Sequence, residues 1–212
     1  YPNIKPNIFA LSDGIIEAYS KVNVPKEKLF LTPNGLDNSE YRFVDKPKYP
    51  DRSICIGKIE DRKKQYFLQG VDSLWFAGNI ADNRFNQNKN YLGELPKSKI
   101  KTDLTEYGNL VLVSDGEVHP RVCTEALAAG LGVVISECGI ANLDLDKEFI
   151  TVIPDDKIND LEYIETQINL NRDFSIRNRH AIIEYACQFD WSNIIEKYYL
   201  PSIQKVRSHY DS

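Results

Sequence analysis

Short runs rich in Ile, Val, Leu and Phe recur along this chain, most of them separated by stretches of helical spacing. Runs that are apolar throughout, rather than alternating, suit strands covered on both faces, as in parallel sheets flanked by helices. They fall at residues 8–11, 29–32, 53–56, 73–77, 90–92, 110–114, 133–136 and 149–153. Helices are expected over 13–22, capped by Ser12, and over 62–68, 98–107, 158–169 and 120–129, the last stopped by Gly130. Parallel neighbours need a crossover, so the repeated strand–helix–strand step specifies an α/β, Rossmann-like, doubly wound parallel sheet. After Asn171 a helical tail follows, with Phe189, Trp191, Ile194, Ile195, Tyr198 and Tyr199 on an apolar face, and Pro201 is expected to kink or end it.

Two stretches break the rhythm. Residues 34–50, with Gly35, Pro47 and Pro50, read as a linker, and the Asn-rich residues 79–89 as a loop or a disordered insertion. The expected division is 1–48, the end of a preceding domain and a linker; 49–188, the main domain; and 189–212, a helix packing across the junction. No internal repeat is visible.

Lys and Arg number 26 against 31 Asp and Glu, a formal charge of -5, so no global basic field exists to attract nucleic acid or an anionic membrane. Any anion must be held by a local cluster. Cys55, Cys123, Cys138 and Cys187 show no C-x-x-C spacing, and three of them are expected in apolar strand or helix patterns, which suits a reducing, cytoplasmic compartment. No run is long enough to span a membrane, and peripheral attachment stays open. The chain starts at Tyr1 and contains no methionine, so we expect a fragment of a longer protein.

Two segments carry chemistry. In the first, the run ending at Ile56 meets Gly57-Lys58 and then the basic helix start Arg62-Lys63-Lys64-Gln65. In an open α/β sheet ligands lie at the carboxyl ends of strands, where a phosphate meets backbone N–H groups and a helix N-terminus. Lys58 and Lys64 could clamp a diphosphate there; alone, the basic run reads as a solvated helix face. In the second, the run ending at Ser114 passes through Asp115-Gly116-Glu117-Val118-His119 to Pro120-Arg121 and a small-residue helix containing Glu125. Glu117 falls in the loop and Glu125 more than a turn into the helix. Such carboxylates suit a polyhydroxylated ligand, and the N–H groups near Val118 and Arg121 suit its phosphates.

These residues resemble group 1 (family 4) glycosyltransferases, whose GT-B fold faces two Rossmann-like domains. The family's Glu, seven residues, Glu-Ala, small-residue helix, Gly and Val-Val signature matches from Glu117 to Val134. Gly57-Lys58 with Lys64-Gln65 is similar to its Gly-Arg strand end and Lys-Gly pair, with Lys for Arg and Gln for Gly. Pro33-Asn34-Gly35-Leu36-Asp37 resembles its domain-junction segment, Leu92-Gly93-Glu94-Leu95 a further strand end, and Phe189-Asp190-Trp191-Ser192 its closing helix.

The resemblance implies the C-terminal half of a GT-B fold, a retaining hexosyltransferase's donor domain that acts on a glycan, glycolipid or polysaccharide with an N-terminal acceptor domain of the same polypeptide. It implies a nucleoside diphosphate sugar as donor and no metal. Lys58 and Lys64 would meet the diphosphate beside Gly57, Glu125 the ribose, and Glu117 the transferred sugar. The backbone of Val118, His119, Pro120 and Arg121 would lie close to sugar and phosphate, and Gly93 and Glu94 near the base. A sugar-nucleotide epimerase of the same fold and a silent nucleotide-binding module are the rival readings. Asp144-Leu145-Asp146 reads as an acidic surface loop, Gly130-Leu131-Gly132 as no dinucleotide fingerprint, and His180 and His209 as lacking partners.

Overall fold

The computed structural model describes residues 6–87 and 90–208. His209 and the end of the expected 79–89 loop lie outside these. Strands β1 (Ile8–Ala10) and β2 (Leu29–Leu31) pair in parallel around helix α1 (Asp13–Lys21), where Ser12 accepts a hydrogen bond from the Ile15 amide. A separate five-stranded sheet holds β3 (Tyr49–Ile56), β4 (Leu74–Ala77), β5 (Tyr107–Leu112), β6 (Gly132–Ser136) and β7 (Ile150–Ile153). Its order is β4-β3-β5-β6-β7 and every pairing is parallel. The helices on it are α2 (Gln65–Leu68), α3 (Lys97–Asp103), α4 (Arg121–Ala128), α5 (Leu161–Arg177) and α6 (Arg179–Ala186). The α/β doubly wound architecture is therefore as the apolar runs imply.

Period-two alternation sorts the strands' side chains into two buried layers. Ile54, Ile56, Leu110, Leu112, Val133 and Ile135 pack with Cys123, Ala126 and Leu127 of α4 on one face. Cys55, Val111, Val113 and Val134 pack with Leu68 of α2 and Ile164 and Ile168 of α5 on the other. Polar clips fix the register of α5: Asn171 donates to the carbonyls of Val133 (3.2 Å) and Phe149 (3.0 Å), and Asn109 donates to Asn171 (2.9 Å).

Several boundaries differ from the sequence reading. Residues 90–92 form only a single bridge, Tyr91 to Phe76, at the sheet edge, where the Tyr91 hydroxyl also donates to the Gly78 carbonyl (2.8 Å). Instead of one helix over 62–68 there is a 3-10 turn, Asp61–Lys63, and then α2, since Lys64 adopts φ 50 between them. The helix expected over 158–169 is α5, carried on to Arg177 by its contacts with the sheet. Pro120 caps α4 rather than opening it. Phe85 in the 79–87 loop is buried between Phe76 and Tyr91, so this loop is anchored. Of the four cysteines, Cys55 in β3 and Cys123 in α4 are buried, Cys138 is half-buried and Cys187, just after α6, is exposed.

The 34–50 stretch is pinned along its length, and its last two residues already belong to β3. Leu36 bridges Asp190, the Asn38 side chain donates to the Ala186 carbonyl (3.1 Å), and the Val44 carbonyl accepts from Arg179 (3.0 Å). The tail is helical through α7 (Trp191–Ile194), a π-turn (Ile195–Tyr199) and α8 (Leu200–Ser208). Pro201 does not end it: the wide turn falls just before the ring, where an α-helical carbonyl four residues back would clash. His180 has a partner after all, Asp45 at 3.2 Å. No helix among the described residues is long and apolar enough to cross a membrane.

Candidate functional site

The strand order reverses between β3 and β5: β3 leads to β4 on one side and β5 to β6 on the other. Ligands of open α/β sheets bind at such a switch point, outside the carboxyl ends of the strands. Two loops meet there. The first leaves β3 through Gly57, whose φ of 148 strains any residue with a side chain, and it passes so close to Gly78 that a Cβ added at Gly78 would overlap the Gly57 carbonyl. Gln65, almost wholly buried, braces this loop by accepting from the Glu60 amide (3.1 Å) and donating to the Lys58 carbonyl (3.0 Å). The second loop leaves β5 and carries Ser114 to Pro120 into α4.

Between them lies a charged cluster. Glu117, 14% exposed at the side chain, is 3.0 Å from Arg62 and 3.9 Å from Lys63. Lys58 is largely exposed and 3.9 Å from Glu60. Lys64 turns out of the cluster, to Asp115 at 3.1 Å and Asn159 at 3.3 Å. Lys63, which the sequence reading passed over, is the lysine whose Nζ faces both Gly57 and Glu117. A signal was available: a Lys-Gly pair places its second residue where a left-handed backbone is tolerated, and that residue is Lys64.

Glu125 follows Glu117 by two turns' worth of sequence and lies in the middle of α4. Burial, Glu117 and Glu125 together push the Cys123 thiol up, and Lys63 opposes them. Burial pushes the Cys55 thiol up to about 12, again against Lys63. Glu125 itself is 3.9 Å from Arg121, and Tyr41 lies close enough that its hydroxyl, already raised by burial, is raised further by this carboxylate. Gly93 and Glu94 reach the same region: the Gly93 carbonyl accepts from the Gly78 amide (2.9 Å), and Glu94 and Leu95 line a cavity of about 410 Å³ with Ile56, Gly57, Lys58 and Asn79. A second cavity, about 460 Å³, separates Glu117 and Val118 from Ser12, Gly14 and Ile15 of the α1 segment. Asp144-Leu145-Asp146 is a local turn in which Asp144 accepts from the Asp146 amide (3.1 Å).

His119 is only 9% exposed, and neither ring nitrogen has a partner among the described residues. Burial first, and then the Arg121 charge, hold its imidazole below the ordinary histidine range. The unfolded chain therefore takes up the proton first as pH falls below about 6.5, and the neutral folded form loses stability from there downward. His119→Gln is expected to flatten this loss: urea midpoints compared from pH 7.5 to 5 should fall more steeply in the parent than in the variant. Parallel slopes would refute a buried, neutral His119.

No family model and no curated protein matches the sequence. Solved structures do match. The apo form of the lipopolysaccharide outer core galactosyltransferase WaaB superposes with a TM-score of 0.71 at 13% identity, over 92% of this chain and 60% of that one. Anabaena HepE, in complex with UDP and glucose, gives 0.68 at 17% identity, over 95% and 62%. Sucrose-phosphate synthase from Thermosynechococcus elongatus gives 0.66 at 18% identity, over 96% and 57%. The chain thus spans about 60% of the length of these three structures. In its parallel five-stranded sheet, flanking helices and helical tail, this chain has the fold of the C-terminal half of a GT-B glycosyltransferase.

Proposed function

We propose that this chain is the donor-binding half of a glycosyltransferase, holding a nucleoside diphosphate sugar at the switch point between β3 and β5. The observation that carries the reading is the meeting of Lys63, Glu117 and the Gly57 strand end at that crevice, with Glu125 acting on the same buried thiol. Lys58 and Lys63 face the diphosphate and stabilise charge developing on it as the sugar departs, which is electrostatic catalysis without a metal. Glu125 accepts the ribose hydroxyls, Glu117 the hydroxyls of the transferred sugar, and the neutral His119 ring offers one further hydrogen bond there. The base occupies the cavity at Gly93, Glu94 and Leu95. Solved relatives of the fold in complex with UDP make UDP-sugars the first donors to try. The reaction is retaining hexosyl transfer to a glycan, glycolipid or polysaccharide, carried out in the cytoplasm with the N-terminal half of the same polypeptide; attachment to a membrane surface is compatible with it.

Calorimetric titration with UDP-, GDP- and dTDP-sugars in EDTA tests this. Lys63→Ala should weaken the bound nucleotide about tenfold to a hundredfold, the equivalent of roughly 1.5–3 kcal/mol for a charge-assisted hydrogen bond. Lys64→Ala, whose ammonium is engaged by Asp115, should change it less than about threefold. Binding abolished by EDTA, or the reverse ranking of the two lysines, would overturn the assignment.

A further inference from the structure

The donor reading leaves Arg62 without a task, yet this residue joins the two loops of the site. Its Nη1 lies 3.0 Å from Glu117 Oε1 and 3.2 Å from Ser114 Oγ, and also meets the Gly116 carbonyl. Its Nη2 donates to Glu60 Oε1 at 2.8 Å. Its own backbone carbonyl accepts from the Asp115 amide at 2.9 Å. One side chain and one peptide group thereby tie the β3–α2 loop to successive residues of the β5–α4 loop. The guanidinium is the outer partner, 43% exposed, and the Glu117 carboxylate the inner one, 14% exposed. Arg62 and Lys63 both engage Oε1 of Glu117, so Oε2 is the oxygen left to accept from a ligand.

We propose that Arg62 is a positioning residue: it holds the Glu117 carboxylate in one orientation toward the donor sugar, so the sugar's contribution to binding depends on Arg62 and the nucleotide's does not. The geometry explains why arginine stands here. A planar fork can span Glu60, Ser114 and Glu117 at once, whereas a lysine ammonium is a point charge and serves one partner well. The two carboxylates neutralise the guanidinium, which suits a bracket better than a phosphate ligand.

This inference rests on Glu117 facing the sugar, and the experiment separates its failure from that of the donor assignment. Arg62→Gln and Arg62→Lys are compared with the parent by calorimetry against UDP, UDP-glucose, UDP-galactose and UDP-N-acetylglucosamine, and by hydrogen exchange over residues 114–119 without ligand. In Arg62→Gln we expect UDP affinity within about threefold of the parent and a loss of about tenfold or more for whichever UDP-hexose the parent binds best, the scale of one charge-assisted hydrogen bond. Arg62→Lys should recover only part of it. Loop amides should exchange several-fold faster in Arg62→Gln at an unchanged melting temperature, because the side chain is half-exposed. Equal losses for UDP and UDP-hexose would make Arg62 a direct phosphate ligand, and tighter UDP-hexose binding would make it a competitor for Glu117; either overturns the proposal. Should the parent bind none of the nucleotides, the donor assignment falls, and unchanged loop exchange would then dismiss the bracket as well.

Discussion

Arg179→Met is expected to unfold about 6–12 °C below the parent chain, roughly 3 kcal/mol at 2–4 °C per kcal/mol for a chain of this size. Arg179 is 2% exposed, and its hydrogen-bond partners are carbonyls and one hydroxyl rather than a carboxylate. Its Nε donates to Val44 O (3.0 Å), Nη1 to Tyr107 O (3.3 Å), and Nη2 to Thr105 O (2.7 Å), Thr105 Oγ1 (2.8 Å) and Ala129 O (3.3 Å). Burial pushes the guanidinium down to about 10, with Asp45 and Glu106 opposing, so it stays charged at neutral pH. Methionine approximates the volume but leaves these acceptors without a donor, and each buried unsatisfied group costs about 1–3 kcal/mol, some of it relieved by relaxation. Thermal unfolding followed by circular dichroism measures the shift. A change under about 2 °C, less than 1 kcal/mol on that scale, would mean that water replaces the guanidinium and that the clip is not structural.

A larger effect is expected on catalysis. If the chain is the donor-binding half proposed above, the 212 residues alone should bind donor yet transfer sugar at least about a thousandfold more slowly than a version joined to an acceptor-binding half, since fixing two reactants at near-attack distance accounts for about 7–11 kcal/mol in favourable cases. The acceptor hydroxyl must be placed against the anomeric carbon and water kept out, which a facing domain does in a two-domain transferase. Donor affinity of the two versions, measured side by side with transfer, should agree within a few-fold. Robust transfer by the 212-residue chain would place the acceptor site among residues 6–48 and the tail, and the two-domain reading would fail.

The sheet was legible because strands buried on both faces leave unbroken apolar runs, and Leu110-Val111-Leu112 or Val133-Val134-Ile135 fit no surface element. Residues 90–92, Asn-Tyr-Leu, lie outside β4, and two apolar residues beside a polar one do not separate an edge bridge from a strand. The shift of β5 back to Tyr107 was hidden by Gly108 and Asn109, a small residue and a polar one that look like a turn. In the structure, Gly108 admits Arg172 against the strand and Asn109 bonds α5. Glu117 in the loop and Glu125 in the helix could be placed from their spacing. Adjacent Lys63 and Lys64 are told apart in the structure by the left-handed backbone at Lys64 (φ 50), for which the family's Lys-Gly pair is the sequence signal. Arg179 gave no sequence signal, since all its partners but the Thr105 hydroxyl are carbonyls, from residues 44, 105, 107 and 129, which any residue type would present.

The Leu36–Asp190 bridge joins two stretches of chain far apart in sequence. Gly35 lies under the Trp191 ring, where an added Cβ would come within 2.7 Å of the indole, and the Leu36 amide and carbonyl bond Phe189 and Trp191 at 2.9 and 3.0 Å. Residues 35–36 and 189–191 therefore cross side by side and bond each other there, outside the five-stranded sheet. On another flank of the site, Asn142 donates to the Leu11 carbonyl (2.8 Å), beside the cavity that lies between Glu117 and the Ser12 end of α1. Positions far apart in sequence are thus stitched together by a few main-chain and amide bonds.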